Sequence, residues 1–325
     1  MRVQVSIYVS VLLSAVASVT HASDRDVEIR HMMQAAGIPG LQTVVVKDGR
    51  VVWAKSYGYA VLDHPGPRAA MRNDSIVLSA SVAKILVAVA VLQQVERGKL
   101  ALDDDINRSL PFAVRNPAWP DVPITWRMLL THTSSMNSED DARSYAAAEF
   151  GHDSSGTLDE YVRSAFVPGG AFYWAERFRS AKPGSERIYS NEAFDLAALA
   201  LQRVTGEDFA RYLDREVLTP LGMRDTSYWL AGRPIARYAV GYATIRQKAG
   251  VHRYIPAREY WAHLPAGTNV LEYQYTCPNY PEGCAHTTAL DFARLMLMLM
   301  NGGVIDGKQI RLAARFCERL GRAES

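Results

Sequence analysis

Two short stretches carry side chains whose types and spacing suit acyl-transfer chemistry. Ser81-Val82-Ala83-Lys84 sets a hydroxyl and an amine three positions apart, and Tyr189-Ser190-Asn191 sets a phenol and a carboxamide two positions apart. In a helix, residues i and i+3 stand one turn apart on one face, so Ser81 and Lys84 would touch. A serine hydroxyl is a poor nucleophile until something removes its proton. A lysine amine can do so where its surroundings favour the neutral form, as burial does. The bland alternative is that Ser81 merely caps a helix, an ordinary role for serine. The choice between the two rests on what else the chain carries.

The elements around these residues are legible. Ile85 to Leu92 is apolar on nearly every side, which predicts a buried helix behind Ser81. Upstream, Asp24 to Ala36 reads as a helix ended by Gly37-Ile38-Pro39-Gly40. Leu41 to Val46 and Arg50 to Tyr59 then read as strands joined at Lys47-Asp48-Gly49, a hairpin signal that needs further strands beside it. Tyr189-Ser190-Asn191 lies where a loop enters the helical stretch Glu192 to Val204, a position from which side chains can reach a cleft. Ile124 to Leu130 predicts a short helix capped by Thr125, and His132 after it is read as loop-stabilising rather than as a base. A second hairpin is expected from Arg237 to Arg246 and Val251 to Ile255 around Lys248-Ala249-Gly250. Thr288 to Met300 predicts an amphipathic helix with Leu290, Ala293, Leu297 and Met300 on one side, and Leu312 to Leu320 a last short helix.

The 325 residues suffice for two domains, and 22% charged with 48% hydrophobic residues is an ordinary globular balance. With a net charge of +2 and no basic cluster, nucleic acid is not an expected partner. Met1-Arg2, the apolar run Val9 to Val19 and Thr20-His21-Ala22 read as an export signal over residues 1–22, too short and serine-rich for a stable membrane anchor. Export implies an oxidising compartment, where Cys277 and Cys284, flanking a turn-rich loop, would pair and leave Cys317 over. Three cysteines with scattered histidines make no zinc site, and Asp103-Asp104-Asp105 lacks the spacing of a calcium loop.

Ser81-x-x-Lys84 followed by Tyr189-x-Asn191 resembles the penicillin-recognising serine enzymes, nearest to the class C β-lactamase branch with its D-alanyl-D-alanine carboxypeptidases and β-lactamase-like esterases. Gly37-Ile38-Pro39-Gly40, the Lys47-Asp48-Gly49 hairpin, Leu129-Leu130-Thr131-His132-Thr133, Pro220-Leu221-Gly222-Met223 and the helix from Thr287 to Gly303 follow that family's order. The resemblance implies an α+β, β-lactamase/transpeptidase-like fold: an antiparallel sheet flanked by helices (residues 23–95 and 285–325) with a mostly helical domain (96–284) inserted. It implies Ser81 as the acylated nucleophile, Lys84 and Tyr189 as the groups that move its proton, and Asn191 as a ligand of the substrate amide. It needs neither metal nor organic cofactor, and it implies a small-molecule or peptide substrate met in the periplasm or outside the cell. The family's third signature, a Lys-Thr-Gly or His-x-Gly strand that supplies an oxyanion donor, is not found: Lys47-Asp48-Gly49 is a hairpin turn and His286-Thr287-Thr288 lacks the glycine. The sheet's late strands are missing with it, so a truncated, inactive or binding-only relative is the second expectation. An α/β-hydrolase esterase is a third and weak one, because no Gly-x-Ser-x-Gly elbow occurs.

Overall fold

The computed structural model describes residues 22–137, 147–247 and 251–310. The export signal up to residue 21, the turn Lys248-Ala249-Gly250, the tail helix from Leu312 and Cys317 lie outside the described residues. The first helix, α1 (Ala22–Ala36), ends at Gly37 in the left-handed conformation. Next come β1 (Gly40–Lys47) and β2 (Arg50–Val61), paired antiparallel from Gly40↔Gly58 to Lys47↔Arg50. Asp48 and Gly49 both have positive φ, 51° and 70°, the geometry a two-residue hairpin turn demands. A short β3 (Ala69–Ala70) adds to the far end of β2.

Chain order then leads to the central helix. After β4 (Val77–Leu78), a 3-10 turn (Ala80–Ala83) runs directly into α2 (Lys84–Glu96). Leu86, Val87, Val89, Ala90, Val91 and Leu92 are buried as expected, but Ile85 is 38% exposed, because the helix start stands at the surface. Next in chain order come the helices α3 (Trp126–Leu130), α4 (Leu158–Phe166) and α5 (Glu192–Thr205). Sequence reading does not place α4, although Thr157 and Glu160 form a reciprocal capping box at its start. All three contribute to one apolar core with α2, through Leu86, Leu129, Val162 and Leu196 among others.

Between the α3 and α4 segments, β5 (Glu149–Phe150) pairs with the later β8 (Tyr275–Thr276). The second hairpin forms from β6 (Tyr242–Arg246) and β7 (His252–Pro256). Its first strand starts later than expected, since Ile235–Arg237 is a 3-10 turn and Ala239 and Val240 donate instead to the Ile76 and Ala60 carbonyls, each at 2.8 Å. Finally β9 (His286–Thr287) pairs with β4 and leads into α6 (Ala289–Met300), capped by Thr288. The inward face of α6 overlaps the expected stripe only in part: Ala293 is buried and Leu297 packs partly buried against the core, but Leu290 and Met300 are exposed, and Asp291, Leu295 and Met298 are buried. Asp291 turns the helix, because its carboxylate accepts from the Asp225 N–H and the Thr226 hydroxyl, both at 2.8 Å.

Candidate active site

The 3-10 turn presents Ser81 to solvent while the next turn sinks Lys84 into the core at 6% exposure. Ser81 does not cap. The cap position is Ser79, whose Oγ donates to the Ala285 carbonyl at 2.7 Å. Ala80, just before Ser81, holds φ at +46°, a conformation that costs a non-glycine residue about 1 kcal/mol or more and is kept only where the surroundings enforce it. Extended Gly283 packs there; a Cβ on it would meet the Ala80 carbonyl carbon at 3.3 Å.

The second motif arrives at the same point. Ser81 Oγ lies 2.6 Å from Tyr189 Oη and accepts from Lys84 Nζ at 3.2 Å. Lys84 Nζ also donates to Asn191 Oδ1 at 2.7 Å and to the Glu282 carbonyl at 2.5 Å. All four sequence-predicted residues therefore meet in one cluster. Nζ also stands 5.2 Å from the Tyr189 ring centre, inside cation–π range. Asn191 occupies the cap position of α5 yet makes no side-chain cap bond there. Ser190 caps in its place, its Oγ accepting from the Ala193 N–H at 3.2 Å and donating to Glu192 Oε2 at 3.1 Å. That division of labour releases Asn191 toward Lys84.

His132 fixes the turn that carries Tyr189. Its Nδ1 accepts from the Ser190 N–H at 3.1 Å, its carbonyl accepts from the Ile188 N–H at 2.7 Å, and its ring lies 4.5 Å from that of Tyr189. An accepting Nδ1 requires the neutral imidazole. Burial, with the Lys84 and Arg187 cations adding, pushes its pKa down to about 4. The loop-stabilising role read from sequence is the one the geometry gives.

Several contributors were not foreseen. The Glu282 carbonyl reaches Lys84 from the loop closed by the Cys277–Cys284 disulfide, whose Cα atoms are 6.6 Å apart. Asp195 on α5 is fully buried beside Glu282, and buried Arg177 pairs with buried Glu192 at 3.2 Å. Two acids, Glu192 and Asp195, at the start of a helix that is otherwise apolar through Leu201 are the signal that could have found Asp195. The other motif residues go elsewhere. Asp103 pairs with Arg127 at 2.7 Å, Asp104 with Arg108 at 3.0 Å, and Asp105 with Arg115 while capping the turn at Ile106–Ser109. His286 is buried against Tyr238, ring centres 5.3 Å apart. Among the described residues no group of three or more His, Cys, Asp or Glu side chains is arranged to hold a metal ion.

Comparison with known proteins gives the family and the fold. The beta-lactamase family model matches residues 26–318. The chain belongs to the beta-lactamase family. It is 29% identical over 198 residues to the D-alanyl-D-alanine-carboxypeptidase/endopeptidase AmpH of Escherichia coli K12, covering 61% of this chain and 47% of that one. The chain thus spans about half the length of the curated relatives it matches. Among solved structures, the octameric penicillin-binding protein homologue from Pyrococcus abyssi superposes with a TM-score of 0.63 at 22% identity, over 92% of this chain and 59% of that one. The D-amino acid amidase of Ochrobactrum anthropi SV3 gives 0.61 at 22% identity, over 88% and 73%. The fold is of the β-lactamase/transpeptidase type, as the motifs implied.

Proposed function

We propose that this chain is an exported serine hydrolase that cleaves an amide or ester through an acyl-enzyme on Ser81. One observation carries the reading: an exposed hydroxyl, Ser81 Oγ, lies within hydrogen-bond reach of both Tyr189 Oη and a buried lysine amine. Three acceptors surround Lys84 Nζ, and an ammonium has three hydrogens to give. The Ser81 hydrogen is then directed at Tyr189. Tyr189 takes the serine proton as it hands its own phenolic proton to the leaving group, while Lys84 steadies the charge that develops during transfer. Asn191 orients the substrate amide, and the Ser81 N–H, at the start of its helical turn, is one donor to the oxyanion. The activities for which the relatives are named, on D-alanyl-D-alanine peptides and D-amino acid amides, together with the β-lactams of the family, support a small acyl substrate of that class. The test is intact-mass analysis after exposure to a fluorophosphonate or a fluorescent penicillin. One adduct on wild type and none on Ser81→Ala is expected, a loss of several orders of magnitude in rate. An adduct that persists in Ser81→Ala, or maps to Ser134 or Ser190, overturns the assignment.

A further inference from the structure

Behind Lys84 lies a group of buried charges that acyl transfer does not itself require. Asp195 is completely buried on α5, and its Oδ1 accepts from the Glu282 N–H at 3.2 Å. The Glu282 side chain lies beside it, 9% exposed, and accepts at Oε1 from Asn279 Nδ2 at 3.0 Å. No donor is aimed at Asp195 Oδ2, a buried oxygen. An ionised carboxylate would leave that oxygen stranded in a dry interior, whereas a carboxylic acid places its own hydrogen there or on the facing carboxyl. The other groups that face Asp195 are few. Glu192, on the same helix, is paired with Arg177; Lys84 comes from α2; Tyr228 and Tyr280 are phenols kept neutral by burial.

The charges count simply. Arg177 and Glu192 cancel, which leaves the Lys84 ammonium facing Asp195 and Glu282. Two ionised carboxylates would put two negative charges against one positive, and two neutral ones would leave the ammonium uncompensated in the core. One shared proton balances the set. Burial and the neighbouring Glu282 both push the Asp195 pKa up, in the same direction.

We propose that Asp195 and Glu282 are positioning residues for the Ser81 reaction: a carboxylic acid–carboxylate pair that holds one proton between them and supplies the single negative charge that keeps Lys84 an ammonium. The pair also sets the Glu282 carbonyl against Nζ, so charge and geometry reach Lys84 from the same loop.

The pair has an unusual mutational signature. In Asp195→Asn the remaining Glu282 ionises and the count is preserved; in Glu282→Gln, Asp195 does the same. Only Asp195→Asn/Glu282→Gln removes the charge. Acylation of wild type and the three variants by a fluorophosphonate is followed across pH. Each single variant is expected to lose about threefold and the double about a hundredfold, well beyond the product of the two. In the double variant alone the alkaline limb of the pH profile moves, because only there is the anion beside Lys84 gone. Losses that merely multiply, with the limb unmoved, overturn the proposal and reduce the pair to packing. Infrared spectroscopy of wild type at neutral pH decides the point even if the double variant does not fold. The carbonyl stretch of an un-ionised carboxylic acid must be present and must vanish in either single variant; its absence from wild type refutes the shared proton. The kinetic arm rests on the acyl-enzyme reading. If wild type is not acylated on Ser81, that reading fails while the infrared result still judges the pair.

Discussion

Replacing His132 with asparagine separates its structural role from its titration. Asparagine offers Oδ1 where the ring offers Nδ1, and it tolerates the left-handed backbone found here, φ +59°. The ring contacts with Tyr189 at 4.5 Å and Phe194 at 5.2 Å are lost, at about 1 kcal/mol at neutral pH. What disappears as well is a group that binds its proton near 6.5 when unfolded but only near 4 when folded. A depressed folded-state pKa gives stability that is whole above pH 6.5, shrinks as pH falls, and is fully lost below about 4. His132 is 8% exposed, so solvent screening does little to reduce the effect. The linkage relation gives a loss of about 2 kcal/mol between pH 7 and pH 4.5 from this side chain. Urea unfolding of both proteins at the two pH values measures it. Carboxylates and His286, itself pushed down to about 4 by burial, are common to both proteins and cancel in the difference. Wild type should lose about 2 kcal/mol more than His132→Asn. Equal losses would mean that the ring is protonated in the fold, and the neutral acceptor assigned to Ser190 would be wrong.

Arg177→Met should destabilise the chain by about 3–5 kcal/mol, because Glu192 is left charged and buried, and adding Glu192→Gln should restore part of that; calorimetry on wild type and the two variants reads it. Cys277→Ala/Cys284→Ala should cost ~2.5 kcal/mol from the opened loop, whose ends lie 7 positions apart, and should slow Ser81 acylation because that loop carries the Glu282 carbonyl. Non-reducing peptide mapping must find Cys277 joined to Cys284; free thiols, or a bond from either to Cys317, would refute the pairing.

What the sequence announced was local. Ser81-x-x-Lys84 is four residues on one turn, and Thr125 and Thr288 cap the helices that directly follow them. The Asp48-Gly49 turn fixes its own hairpin by the sign of φ. Errors came where distant partners decide. The stripe Leu290, Ala293, Leu297, Met300 obeys helical spacing, yet Asp225 and Thr226 draw Asp291 inward and roll α6 partly off that face. Ile85 belongs to the most apolar run in the chain and is still exposed, because the turn that presents Ser81 also presents its neighbour. The site divides in the same way. Motif residues were named from their types, whereas the Glu282 carbonyl has no side-chain signature and reaches Lys84 across 198 positions.

The three acceptors of Lys84 come from three separate segments: Ser81 on its own turn, Asn191 at 107 positions and Glu282 at 198. No local peptide can hold that geometry, so an ammonium with three satisfied hydrogens is a property of the closed core alone. Each segment is in turn fixed by something else: Asn191 by Ser190 taking over the cap, the Tyr189 turn by His132, and the Glu282 loop by its disulfide. Loosening any one leaves a buried donor on Lys84 unmatched, which costs about 1–3 kcal/mol or more for a charged group. Stability and the proposed activation of Ser81 are therefore coupled through one amine. A variant that weakens one of these supports without touching Ser81 or Tyr189 should lower acylation and unfolding free energy together.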